Sequence, residues 1–260
     1  FMQSAWAIGY GAAAIVTMLV LPRWGWRGVF FVGILPAFFT LWVRRHVEEP
    51  RIWRERHARS DREHGMSDSS SSSAALASAT YSRMGDLFGG GLLKLTIALT
   101  LMNTFTMFGW WGFNLWLPGY LSLPAAAGGM GFTAQVMTSL VVAMQVGSWF
   151  GYVTFGFISD AIGRKRAYVF YTLTAAVLIF LYISTRSSMA LLVLGPFVSF
   201  FGTGYFSGFG AVTAEIYPTS IRATAQGFTY NVGRLASAIA PFAVGSLAQT
   251  RGFHTALSLV

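Results

Sequence analysis

An arginine in the middle of an apolar run is the residue with the clearest chemical demand. Arg234 stands inside GFTYNVGRLASAIAPF, residues 227–242, with no acid within reach along the chain. A guanidinium is permanently charged and matches a carboxylate with two parallel N–H donors. At helical spacing Gly227, Tyr230, Arg234, Ser237 and Pro241 share one face, bordered by Asn231, and Phe228, Val232, Leu235, Ile239 and Phe242 take the opposite one. An arginine at the centre of a membrane helix costs about 2.5–3.5 kcal/mol, so something must offset it. The nine acids are Glu48, Glu49, Glu55, Asp61, Glu63, Asp68, Asp86, Asp160 and Glu215, and none lies in the middle of an apolar run. Three partners stay open: an acid outside these residues, backbone and water, or an anionic ligand.

Other polar groups recur at helical intervals. Asn103, Met107, Trp110 and Asn114 form one stripe, and Gln145 lies with Thr138, Ser148 and Tyr152 on another. The glycine-rich GPFVSFFGTGYFSGFG, residues 195–210, carries Tyr205, placed to cap a site. Buried amides need hydrogen-bond partners. The candidate ligand contacts are therefore Arg234, Asn231, Tyr230, Asn103, Trp110, Asn114, Gln145 and Tyr205. Packing alone is the competing explanation for the aromatic and glycine positions. His46, His57, His64 and His254 lie outside the apolar runs or at an end, and there is no cysteine. No catalytic residue, metal centre or bound cofactor is expected. A phosphate-cradling loop is also missing, which leaves ATP-driven work without support.

The elements that must position these groups follow from composition. Hydrophobic residues make up 54% of the 260 and charged residues 10%, where a soluble domain carries about 25% charged. Mean hydropathy is +0.55. Apolar runs cover 3–21, 28–43, 95–117, 134–157, 167–184, 189–213 and 223–248, and an eighth begins near Phe253. Such runs span a bilayer as helices, and none alternates as a membrane β-strand does. The expected class is all-α integral membrane, with about seven complete transmembrane helices and the start of an eighth. Both ends of the chain fall inside apolar runs, so a piece of a longer protein is expected. Residues 44–91 differ in kind: a charged stretch, a serine tract and a glycine run, suited to a flexible connection. With this segment cytoplasmic, thirteen Lys and Arg fall on its side and four on the other, the positive-inside pattern. The net charge of +9 then reflects topology, not nucleic-acid binding.

Short motifs sit between the runs. GFISDAIGRKR, residues 156–166, joins the fourth and fifth; Gly156 suits close packing of the helix end and Gly163 a tight turn. This pattern resembles the signature loop of the major facilitator superfamily. EIYPTSIR, residues 215–222, is similar to the E-x-x-P-T-x-x-R signature of its sugar-porter-like branches. VEEPR, residues 47–51, resembles a third signature more weakly, with Val47 in place of its first proline.

The resemblance implies spans 5 to 11 and the start of span 12 of a twelve-helix carrier. Residues 1–44 become the last two helices of the N-terminal half, 45–91 the cytoplasmic connecting loop, and 92–260 the C-terminal half. It implies a secondary transporter in the cell (inner) membrane, working by alternating access, monomeric and surrounded by lipid. YNVGR with the Glu-Arg loop looks most like proton symporters of sialate, lactate and aromatic acids, with an anionic substrate and protons as partners. A sugar or polyol porter is the alternative within the family, and a seven-helix receptor the alternative outside it. By the same resemblance Gly156, Asp160, Gly163, Arg164, Lys165, Arg166, Glu215 and Arg222 form a cytoplasmic gate. Asp160 would face the start of the first run, and Glu215 and Arg222 would join one charge network with Arg164 or Arg166.

Overall fold

The computed structural model describes residues 2–47, 84–89 and 91–258, and the regular structure among them is helical. Helix α1 runs Ser4–Val32 and α2 Leu35–His46. Helix α3 runs Leu93–Ser122, α4 Ala134–Ile162 and α5 Arg164–Ser184. Then come α6, Ser188–Gly204, a 3-10 turn over Tyr205–Gly208, and α7, Phe209–Ile216. Helices α8, Arg222–Ser237, α9, Ala240–Arg251, and α10, Phe253–Ser258, complete the order. Thr133 and Ser187 cap α4 and α6 by accepting the N–H of Val136 and Ala190. Within the helices many Ser and Thr hydroxyls bond the carbonyl four residues back, as Thr203 does to Ser199, which satisfies them without water.

The element boundaries correct the apolar runs in three places. Residues 22–27 are not a loop: the helix continues through them and kinks at Gly25, whose φ of 64° and ψ of −172° suit glycine alone. The second run, 28–43, is divided between the end of α1 and α2, which restarts with Pro36 in its first turn. The last full run, 223–248, breaks between Ser237 and Ala240, where Pro241 has no N–H for the carbonyl of Ser237. Most of the connecting segment, residues 48–83 and 90, lies outside the described residues.

Packing is closest between α4 and α6. A Cβ added at Gly147 would lie 2.0 Å from the carbonyl oxygen of Pro196, and one at Gly151 2.4 Å from that of Phe200. These helices meet backbone to backbone, as small residues four apart allow. Helix α8 buries Ala225, Thr229, Gly233 and Ser237, and Gly233 lies against the backbone of Asn103 on α3. Trp116 of α3 donates its indole N–H to the Pro241 carbonyl at 2.7 Å, tying in α9. Helix α1 leans on α4 through Ser4, Ala7 and Gly11.

The ends of the bundle alternate. At one end Thr96 bonds the Tyr217 hydroxyl and the Leu87 carbonyl, each at 2.8 Å, above a small core of Leu87, Leu99, Tyr217, Ile221 and Ala225. At the other, Tyr120 donates to the Ile183 carbonyl and its ring lies tilted beside that of Phe253. Large apolar side chains turn outward between the ends, among them Phe105, Phe157, Leu173, Leu235 and Phe242. An apolar face of that extent marks contact with lipid or protein. Among the described residues four helical segments, Ser4–His46, Ala134–Ile162, Arg164–Ser184 and Ser188–Ile216, are long and apolar enough to cross a membrane.

Candidate functional site

The charged cluster is built by one glycine turn. Gly163, at φ 91° and ψ 143°, ends α4 and lets α5 begin at once with Arg164. The guanidinium then reaches in two directions. Nη1 pairs with Asp160 at 2.6 Å and donates to the Ser159 hydroxyl. Nη2 and Nε donate to Oε1 of Glu215 on α7, at 2.9 and 3.1 Å. The fork thus joins the α4–α5 turn to the end of α7, which only a bidentate cation does well. Asp160 and Glu215 are 64% and 53% exposed.

The other motif residues are placed differently. Lys165 and Arg166 are exposed on the same turn and make no ion pair with a described residue. Among the described residues Arg222 is outside the expected network: its Nε is buried without a hydrogen-bond partner there. It opens α8, which packs mainly on α3 and also touches α7. Gly156 does not serve close packing among the described residues, since a Cβ there would meet nothing within 4 Å. Its position on α4 is exposed.

A cavity of about 630 Å³ opens between α3, the 3-10 turn with α7, α8 and the start of α1. Its polar lining includes the amides of Gln3, Asn103, Gln226 and Asn231, with Ser207, Thr213, Thr229 and Tyr230. No acid or base is among the lining residues. Asn103 is only 3% exposed, and its Oδ1 has no hydrogen-bond partner among the described residues. Asn231 instead uses its amide N–H on the Gly227 carbonyl at 2.8 Å. On α8 the cavity face is Ala223, Gln226, Gly227, Tyr230 and Asn231. Arg234 follows one turn on along that stripe, exposed and without an ion pair to any described residue. The face buried against α3 is therefore Ala225, Thr229, Gly233 and Ser237, not the whole set that helical spacing grouped with Arg234. Gly233 marks this face, because a Cβ there would lie 3.1 Å from the backbone of Asn103, tighter than an ordinary contact.

The remaining candidates do not converge on this cavity. Trp110 and Tyr205 line a second one, of about 380 Å³, with Thr106, Thr172 and Phe180. The Trp110 ring fills the space a Cβ at Gly202 would need, and Tyr205 donates to the Thr106 carbonyl at 3.4 Å. Asn114 is buried in α3 and lines neither cavity. Gln145 is buried at the α1 seam, where a Cβ on Gly11 would lie 3.5 Å from its own. Gln226, Ser207, Thr213 and Gln3 escaped the sequence pattern. Gln226 was within reach of it, one turn before Tyr230; Ser207 lies within a 3-10 turn and Thr213 beyond it, and that turn shifts the helical phase. Among the described residues no group of His, Cys, Asp and Glu is arranged to hold a metal. The cavity presents amides and hydroxyls that can hydrogen-bond a polar solute.

Comparison with known proteins gives a family. Residues 99–260 match the Major Facilitator Superfamily. The chain is 31% identical over 264 residues to a putative metabolite transport protein of Haemophilus influenzae, covering 100% of this chain and 60% of that protein. It is 31% identical over 250 residues to the cis,cis-muconate transport protein of Acinetobacter baylyi, covering 95% and 56%. A putative niacin/nicotinamide transporter of Bacillus subtilis is 27% identical over 247 residues, again covering 95% and 56%. The chain thus spans somewhat more than half the length of these relatives.

Proposed function

The chain belongs to the major facilitator superfamily, and on that premise we propose that it is part of a proton-coupled secondary transporter of small organic anions. The observation that carries this reading is the acid-free cavity lined by amides, with Arg234, which has no ion pair among the described residues, on the next turn of the same helical stripe. A carboxylate held by Arg234 offsets the cost of an intramembrane cation. Asn103, Tyr230, Gln226 and Asn231 then hold the uncharged part of the substrate. Two relatives are named for muconate and for niacin/nicotinamide, and muconate and niacin are carboxylic acids. Trp110, Asn114, Tyr205 and Gln145 serve the path as packing or lining groups.

Asp160, Arg164 and Glu215 act as a gate in this reading. A cluster held by one guanidinium between two helix ends has two discrete arrangements, made or broken, which suits a rocking interface. Since the cavity lining contains no carboxylate, the proton-carrying acid in this reading lies outside that lining. The protein sits in the inner membrane as a monomer, with residues 45–91 cytoplasmic.

The test is uptake by the full-length protein in proteoliposomes. A panel of 14C-labelled mono- and dicarboxylates is offered with and without a protonophore, beside labelled sugars. Carboxylate uptake that the protonophore abolishes is the expected result. Arg234→Lys keeps the charge and loses the fork, so KM should rise about tenfold, and Arg234→Gln should abolish saturable uptake. Unchanged uptake by Arg234→Gln removes the arginine from the site, and sugar uptake alone rejects an anionic substrate.

A further inference from the structure

Tyr168 takes no part in the ion pairs or the cavity lining, yet it touches the elements that carry both. It sits one turn after Arg164 on α5 and is 6% exposed. Its hydroxyl donates to the carbonyl of Tyr205 at 2.9 Å, at the first residue of the 3-10 turn. Its ring stacks on Phe209, the first residue of α7, with centroids 5.9 Å apart and planes at 15°. Phe209 in turn meets the ring of Tyr230 at 6.3 Å, and both line the cavity.

The turn itself is closely packed against α4 and α5. A Cβ at Gly208 would lie 2.4 Å from Cε1 of Phe155 and 3.0 Å from the Tyr168 hydroxyl. A Cβ at Gly204 would lie 2.6 Å from Cε1 of Tyr171. Side chains of α4 and α5 thus fix the backbone from which Phe206, Ser207, Phe209 and Gly210 face the cavity. Segment 205–216 is held to α5 at both ends, by the Tyr168 bond at one and the Arg164–Glu215 pair at the other. A 3-10 stretch inside a longer helix is poorer in hydrogen-bond geometry than the α form, so it persists where its surroundings hold it.

We propose that Tyr168 is a positioning residue that couples the ion-paired end of the bundle to the cavity. Its hydroxyl keeps the 3-10 turn, and with it Phe206 and Ser207, in the cavity-lining arrangement as long as α5 stays beside α7. Tyr168→Phe removes that bond and keeps the ring stack.

The experiment uses the full-length protein with Ser207→Cys, in a background freed of any other cysteine. The alkylation rate of the introduced thiol by a maleimide is compared with and without Tyr168→Phe. A change of about fivefold is expected, the population shift that one hydrogen bond supports, with unaltered yield of folded protein. Tyr168→Leu, which also loses the stack, should change the rate further. A second arm rests on the transport reading: Tyr168→Phe should raise KM severalfold while the maximal rate stays within about twofold. General destabilisation would instead lower the maximal rate at constant KM. An unchanged alkylation rate in folded Tyr168→Phe overturns the role. If the unmutated protein takes up no carboxylate but Tyr168→Phe changes alkylation, the substrate assignment falls and the coupling stands.

Discussion

Gly147→Ala adds one methyl group at the tightest point of the bundle. The new carbon would lie 2.0 Å from the Pro196 carbonyl oxygen and 2.5 Å from its carbonyl carbon. Carbon–oxygen contacts relax at about 3.3 Å, so α4 and α6 must part locally by about 1.3 Å. The obstructing atoms are backbone, and no rotamer change removes them. One turn on, Gly151 meets the Phe200 carbonyl oxygen at 2.4 Å, so the seam cannot open at one point alone. Overpacking of a dense interior costs about 1–3 kcal/mol, and a backbone–backbone seam belongs at the upper end, about 3 kcal/mol. Gly119→Ala on α3 is the matched control, since its nearest atom would be 3.9 Å away. It should change stability by no more than about 1 kcal/mol, favourably if helix propensity decides. The assay is thermal unfolding of the full-length protein in detergent, followed by the monodisperse fraction after heating. Equal melting of the two variants would refute the steric argument.

Two further outcomes follow from the charged turn. Arg164→Gln and Glu215→Gln remove a half-exposed pair, so each should cost at most about 1 kcal/mol of stability. Each should nonetheless raise the alkylation rate of a thiol placed by Gln226→Cys in the cavity, and the swapped pair Arg164→Glu with Glu215→Arg should restore it; failure of the swap to restore it speaks against a gate. Gly163→Ala forces a side chain into a conformation that glycine alone adopts, at φ 91°, and should lower stability by about 1–3 kcal/mol. A melting point unaffected by Gly163→Ala would contradict the turn geometry.

How much was legible depends on what the sequence pattern encodes. Helical periodicity and length mark the spans because a bilayer demands both from each segment separately. The Asn103, Met107, Trp110 and Asn114 stripe is buried as one face of α3 for the same local reason. The meeting of Arg164 with Glu215, 51 positions apart, is legible as two charged turns at the same end of adjacent helices. Arg222 shows the limit, because its distance from that cluster depends on which helix α8 packs against. The division of the stripe between two cavities was not legible either. Asn103 faces α8 while Trp110 faces Gly202 of α6, and which neighbour a residue meets is a property of helix crossing, not of spacing. Gly25 and Pro241 were visible as residues, but whether a glycine or proline ends a helix or only bends it is decided by the packing around it.

The 3-10 turn over Tyr205–Gly208 also acts as a screw thread within its helix. An α-helix advances 1.5 Å and 100° per residue, a 3-10 helix about 2.0 Å and 120°. Rewinding four residues into α form would turn everything beyond them by about 80° and draw it back by about 2 Å. Phe209, Gly210 and Thr213 would leave the cavity wall in that one motion, and Glu215 would swing away from the Arg164 fork. A one-residue change in hydrogen-bond register, confined to that single turn, would thus move the two ends of α7 together, with no hinge residue needed.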